Sequence, residues 1–221
     1  MLWLALDGAL GAFSAALAAS DDSIAPRTAE AFGEDALERG LVMIDTVLDG
    51  TPLAALGAIA VGTGPGRFTG LRIALSYAKG LAFAARLPLA GVSSYDALEP
   101  PGATGTYATF VHGRAGIACV RVRGLGNELT VCGSYAALAE AIAARAAPDA
   151  ELTCYGNAEG AAPALGERGI IVRAMQRDQN VPALAVARRA MLRGVPAGSH
   201  AVVADYGEVP HYAARSGDPN S

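Results

Sequence analysis

The sequence predicts an α/β chain in two lobes, on three observations. Short apolar runs of strand length alternate with longer segments of helical periodicity. The turn dipeptide Asp7-Gly8 splits two apolar runs at the start, which reads as an opening β-hairpin. The breaker cluster Glu99-Pro100-Pro101-Gly102 then divides the pattern into a first lobe, 1–100, and a second, 101–200. A last segment, 201–221, is expected to return to the first lobe and to end in a frayed polar tail.

The elements follow in order. Trp3, Leu4 and Leu6 form the first strand and residues 13–17 its partner; an Ala-rich helix over 9–19 competes, but Gly8 and Gly11 disfavour it. Residues 34–48 carry Leu37, Leu41, Ile44 and Leu48 on one helical stripe, widened by Val42, Met43 and Val47, and Gly50 and Pro52 end the helix. Residues 58–61 are a buried strand, 62–70 a glycine-rich turn, and 69–85 a second helix with Leu71, Ala74, Leu75, Ala78, Leu81 and Ala82. Residues 89–92 are a strand, and Ser93 or Ser94 caps the next short helix. In the second lobe, 107–111, 117–122, 129–132, 152–155 and 170–172 read as strands. Residues 134–146, capped by Ser134, and 181–192, starting near Pro182, read as helices.

Composition narrows the function. With 52% hydrophobic and 17% charged residues, the chain is apolar enough that a partner is expected to cover part of its surface. A net charge of −4 argues against wholesale nucleic-acid binding, and Arg188, Arg189 and Arg193 read as a solvated helix face. Cys119, Cys132 and Cys154 are odd in number and set among apolar residues, so they read as buried thiols of a reducing compartment. The apolar N-terminus has no Lys or Arg before Arg27, and Asp7 interrupts it. A signal peptide is therefore disfavoured, no membrane span is expected, and the expectation is cytoplasmic.

Motifs for chemistry are sparse. Residues 62–70, Gly-Thr-Gly-Pro-Gly-Arg-Phe-Thr-Gly, sit between strand and helix, where backbone N–H groups could cradle a phosphate. A Walker A loop from Gly62 would need Gly and Lys where Arg67 and Phe68 stand, and the dinucleotide spacing fails from either Gly62 or Gly64. Neither a metal-binding histidine spacing nor a nucleophile elbow occurs, so no catalytic residue and no metal ligand is assigned, and a peptidase role gains no support.

Residues 62–94, GTGPGRFTGLRIALSYAKGLAFAARLPLAGVSS, resemble the TsaB (YeaZ) family, with its Gly-Pro-Gly-Ser-Phe-Thr-Gly-Leu-Arg-Ile run, Ala-Lys-Gly-Leu helix and Gly-Val-Ser strand end. Weaker matches lie at 4–7, 95–98 and 210–212. The resemblance implies an actin/hexokinase/chaperone-ATPase-like (ASKHA) fold, two small lobes with mixed sheets flanked by helices. It implies a non-catalytic subunit that pairs with a TsaD-type transferase, joined by a TsaE-type ATPase, in making threonylcarbamoyladenosine beside the anticodon of tRNAs reading ANN codons.

Carried onto this chain, the resemblance places partner contacts on Leu37, Leu41, Ile44, Leu48, Leu71, Arg72, Leu75 and Lys79. It places nucleotide proximity at Asp7, Gly64, Gly66 and Arg67. No cofactor of its own is expected, although ATP or ADP could lie at the complex interface. The same surface could pair two copies in isolation, and tRNA would be reached indirectly. Three departures stand out: Gly8-Ala9 lacks the family's hydroxyl after the Asp, Arg67 replaces the loop Ser, and His112-Gly113-Arg114 replaces Asp-Ala-Arg. They weaken nucleotide hydrolysis by this chain and leave a scaffold role intact. The alternative is an independent small-molecule kinase or ATPase of the same fold.

Overall fold

The computed structural model describes residues 1–31, 38–113, 116–147, 149–176, 181–196 and 202–207. The hairpin is present: β1 (Leu2–Asp7) pairs antiparallel with β2 (Phe13–Ala19), which pairs with β3 (Arg27–Ala31). Helix α1 (Gly40–Leu48) leads through a short 3₁₀ turn (Leu53–Ala55) to β4 (Leu56–Gly64), parallel to β1. Helix α2 (Phe68–Ala85) then leads to β5 (Leu89–Ser93), parallel to β4. After the five-residue α3 (Ser94–Leu98) the plan repeats. An antiparallel meander of β6 (Tyr107–His112), β7 (Ile117–Arg123) and β8 (Leu129–Ser134) is followed by α4 (Tyr135–Ala143) and β9 (Glu151–Gly156). Helix α5 (Ala162–Glu167), β10 (Ile171–Gln176) and α6 (Pro182–Arg193) complete it.

The sheet orders, β3-β2-β1-β4-β5 and β8-β7-β6-β9-β10, are the same topology twice. The lobes share this plan without sharing a motif, so the duplication is invisible in the sequence. Ser93 and Ser134 cap α3 and α4 as expected, accepting from the Asp96 and Ala137 N–H groups. The helix expected over 34–48 is seen as α1; 34–37, Leu37 included, lie outside the described residues. β3 and α5 were not expected: Arg-Thr-Ala-Glu-Ala is a half-exposed edge strand without an aromatic or aliphatic cluster, and α5 has only six residues. Among the described residues no helix is long and apolar enough to cross a membrane.

Strand alternation sends β1 residues to opposite faces of the first sheet. Leu4 and Leu6 join Leu17, Ile59, Val61 and Leu89 against α1 and α2, with Leu71, Ala74, Leu75 and Ala78 from the latter. Trp3 and Ala5 face α6 together with Ala58, Ala60 and Ala90. Alanines on α6 (Ala185, Ala187, Ala190) meet alanines of the sheet, which lets this helix approach closely. The Ser14 hydroxyl, buried on β2, accepts the Ala183 N–H at 3.1 Å and so caps the start of α6. The chain is thus back on the first sheet at α6, inside the span 101–200. Residues 202–207 also lie there, Val202, Ala204 and Tyr206 packing on the first core.

One reading is corrected. Cys119 and Cys132 are not free thiols: they face each other in the β7–β8 register and form a disulfide. Spacing along the chain could not show this, because it depends on where the hairpin turns. Cys154 is a free, buried thiol, and burial pushes its pKa up to about 12.

An ion cluster joins the lobes. Arg121 of β7, almost fully buried, lies 2.6 Å from Asp96 and 2.8 Å from Glu99, at the end of α3. Thr109 donates to Glu99 at 2.8 Å, and Arg193 pairs with Asp96. Arg189 donates to the carbonyls of Asp96 and Glu99. Burial alone would raise the Asp96 pKa, but hydrogen bonds and charge from Arg121, with Arg193 and Ser93, hold it down to about 2. Substituting Arg121→Leu should therefore destabilise the chain by about 3–5 kcal/mol in urea unfolding, because two carboxylates lose their buried partner.

Candidate functional site

The junction between the lobes is where a phosphate-handling site of this architecture would lie, and it is built from the β1–β2 turn, the β4–α2 turn and residues 202–207. Asp7 ends β1 and is fully buried. Its Oδ1 accepts the N–H groups of Ala9 (3.1 Å) and Leu10 (2.9 Å); its Oδ2 is buried without a hydrogen-bond partner. Burial raises its pKa to about 6, the two N–H groups pulling the other way. Gly62 leaves the room Asp7 occupies: a Cβ there would stand 2.0 Å from Oδ2.

The glycines flanking this acid are required by the chain's own backbone. A Cβ on Gly8 would meet the Gly70 carbonyl oxygen at 2.3 Å, and one on Gly70 would meet that of Gly8 at 2.1 Å. Gly66 packs in the same way on the Ala9 carbonyl, which accepts the Arg67 N–H at 2.9 Å. Gly64, at φ +96°, lies against the Asp205 carbonyl, and the Asp205 N–H donates to Thr63 O at 2.7 Å. Arg67 is exposed and donates to the Gly11 carbonyl at 3.3 Å. Asp7, Gly64, Gly66 and Arg67 are therefore gathered in one region, but carbonyl oxygens of the chain lie against Gly64, Gly66 and Arg67, and these repel an anion. Leu10 fills the junction further, packing with Tyr95, Val111, Cys119 and Cys132. No group of three or more His, Cys, Asp or Glu suited to a metal ion occurs among the described residues.

A cavity of about 310 Å³ is lined by Leu98, Pro100, Tyr155, Gln176 and Leu192, among others. The charged groups Asp96, Glu99 and Arg189 on its wall are already engaged in the ion cluster.

The residues expected to meet a partner divide. Ile44, Leu71 and Leu75 are buried in the first-lobe core and Leu48 packs against it, so their stripe is an internal face. Leu41 is exposed, as are Arg72 and Lys79. Arg72 lies over the Phe68 ring at 3.7 Å and donates to the Tyr206 hydroxyl at 3.2 Å. The apolar residues that α1 and α2 do leave outward include Val42 and Phe83, the latter 83% exposed. Phe83 falls off the Leu71–Leu75–Ala82 stripe, a signal that periodicity alone could have given. Gly80 is also outward, and a Cβ there would meet nothing within 4 Å.

Comparison with known proteins completes the site. The family model for TsaD, tRNA N6-adenosine threonylcarbamoyltransferase, matches residues 27–148, more than half of the chain. The tRNA threonylcarbamoyladenosine biosynthesis protein TsaB of Escherichia coli (strain K12) is 41% identical over 93 residues, which are 41% of this chain and 39% of that protein. TsaB of Haemophilus influenzae is 44% identical over 63 residues, 28% of this chain and 27% of that one. The matched stretches thus span about two fifths and about a quarter of those curated relatives. Among solved structures, YeaZ from Pseudomonas aeruginosa superposes with a TM-score of 0.64 at 25% identity, over 93% of this chain and 99% of that one. A further Pseudomonas aeruginosa structure, described as similar to peptidase YeaZ, gives 0.66 at 25% identity over 94% and 99%. The two-lobe, mixed-sheet architecture is accordingly the actin-like one.

Asp7 gives a signed pH dependence. Between about pH 4 and 6 the folded chain holds a proton that the unfolded chain has released, so this group's contribution to stability falls as pH rises through that window and stays lowered above it. Asp7→Asn should be more stable than the parent at pH 7, by up to about 3 kcal/mol, and the gap should close below pH 4. Urea unfolding of both chains from pH 3.5 to 7.5 measures it; a gap independent of pH would exclude Asp7 as the titrating group.

Proposed function

The chain belongs to the TsaD family, in its TsaB/YeaZ branch, and from that premise we propose that it is a non-catalytic subunit in threonylcarbamoyladenosine biosynthesis. It pairs with a TsaD-type transferase through the outer faces of α1 and α2, and a TsaE-type ATPase joins the pair. The product is threonylcarbamoyladenosine beside the anticodon of tRNAs reading ANN codons, and this subunit meets the tRNA through its partners. The site of action is the cytoplasm. Any ATP or ADP lies at the interface of the complex, and without the transferase the same face pairs two copies of this chain.

The observation that carries the reading is the outward face of α1 and α2, with Leu41, Val42 and Phe83 exposed and Gly80 open. A glycine inside an 18-residue helix costs about 1 kcal/mol relative to alanine. Among the described residues no intrachain contact accounts for Gly80, whereas close approach by a partner's backbone would. The non-catalytic part rests on Asp7, whose carboxylate is enclosed by the chain itself, and on Leu10 in the junction.

Co-expression with a TsaD-type protein tests the pairing. A stable complex is expected; failure of the folded transferase subunit to co-purify would sink the reading. Leu41→Glu and Gly80→Leu should each weaken the complex at least tenfold in titration calorimetry while leaving the fold of the isolated chain intact. Gly80→Ala should stabilise the isolated chain by up to about 1 kcal/mol. Leu75→Glu should instead unfold it, since Leu75 belongs to the core. Metal-dependent ATP turnover by the isolated chain, abolished in Asp7→Ala, would replace this reading with that of an independent kinase or ATPase.

A further inference from the structure

We propose that Cys119–Cys132 is a redox modification site whose co-substrate is a dithiol, and that its oxidation state controls the docking of residues 202–207 on the first lobe. The inference does not depend on the pairing role proposed above.

The disulfide sits on the side of β7 and β8 that faces the junction, in the cluster with Leu10, Tyr95 and Val111. Gly207, at φ +69°, is pressed onto it. A Cβ there would lie 2.7 Å from the Cys119 sulfur, 2.9 Å from that of Cys132 and 2.9 Å from Cβ of Pro65 in the β4–α2 turn. The sulfur pair is thus where the second lobe touches both the glycine-rich turn and the returning segment.

That segment is irregular backbone, held among the described residues by Val202, Ala204 and Tyr206 on the first core and by a few polar and ring contacts. The Asp205 N–H donates to Thr63 O, the Tyr206 hydroxyl accepts from Arg72, and the Tyr206 ring packs 5.0 Å from that of Phe68. A segment so tied opens more readily than a strand or helix.

A thiolate of the dithiol attacks the sulfur of Cys132, the less buried residue of the pair; the bond between the two sulfurs breaks, and Cys119 leaves as a thiolate and takes up a proton. The second thiol of the reagent resolves the mixed disulfide and frees Cys132 as a thiol. The reagent leaves as its own disulfide, so two electrons and two protons reach the protein. The freed sulfurs cannot remain at bonding distance, and they must separate in a place where even a methyl group on Gly207 does not fit. Gly207 is displaced, and with it the contacts of Tyr206 and Asp205. Cys154, buried in the second-lobe core, takes no part.

Hydrogen exchange on the isolated chain, purified without reductant and then treated with dithiothreitol, tests this. Denaturing alkylation should label one cysteine before treatment and three after. The Asp205 amide should exchange at least tenfold faster in the reduced form, with the β6 amides unchanged. The double variant Cys119→Ala/Cys132→Ala, with no sulfurs to separate, should show the same Asp205 exchange with and without dithiothreitol, whereas Gly207→Ala should exchange fast while the disulfide stays closed. Three labelled cysteines before treatment, or equal Asp205 protection in the oxidised and reduced parent chain, would overturn the proposal.

Discussion

Two backbone segments, the β1–β2 turn and the first turn of α2, meet with no side chain between them. Gly8 and Gly70 each occupy the space that the other's Cβ would need, and Gly66 does the same against Ala9. This contact fixes where α2 starts relative to the first sheet, and hence where its Leu71–Leu75–Ala78 stripe enters the core. It also encloses Asp7: with the turn pressed onto α2, the carboxylate has two backbone N–H groups on one oxygen and Gly62 against the other. The cost of that enclosure appears as the raised pKa.

The junction follows from the same geometry. A turn held this close to α2 projects Leu10 toward the second lobe, where it meets Tyr95, Val111 and the disulfide. Beside this apolar contact, Arg121 ties β7 to α3, and Arg189 and Arg193 tie α6 to the same short helix. Buried ion pairs of this kind contribute little net stability over an apolar replacement, but removing one partner is costly. Here they lie where β7, α3 and α6 meet, so the loss of one partner strands a charge between the lobes.

A fold that elsewhere presents loops to a phosphate here turns carbonyl oxygens of its own chain onto the glycines. On the outer surface of the first lobe, Leu41 and Val42 of α1 and Phe83 of α2 are exposed, and Gly80 of α2 has open space beside it. Both lobes follow the same strand plan. The first sheet carries the 18-residue α2 on one face and the returning α6 on the other.

The sequence by itself determined much of this. Asp7-Gly8 fixed the opening hairpin, the α2 periodicity fixed that helix to within a residue, Ser93 and Ser134 fixed two helix starts, and the 62–94 run fixed the family. These are local features, set by turn chemistry, capping and periods of 2 and 3.6, and they need no knowledge of distant neighbours. Only the tertiary structure decided which residues of one apolar stripe face inward: Leu41 and Ile44 share a stripe, and packing alone separates exposed Leu41 from buried Ile44. It decided that Gly64 and Gly66 answer to Asp205 and Ala9, and that Cys119 finds Cys132. The disulfide depends on the β7–β8 register, and the glycine contacts depend on segments remote in the chain; no local pattern encodes a neighbour such as Asp205, which reaches Gly64 from about 140 residues away.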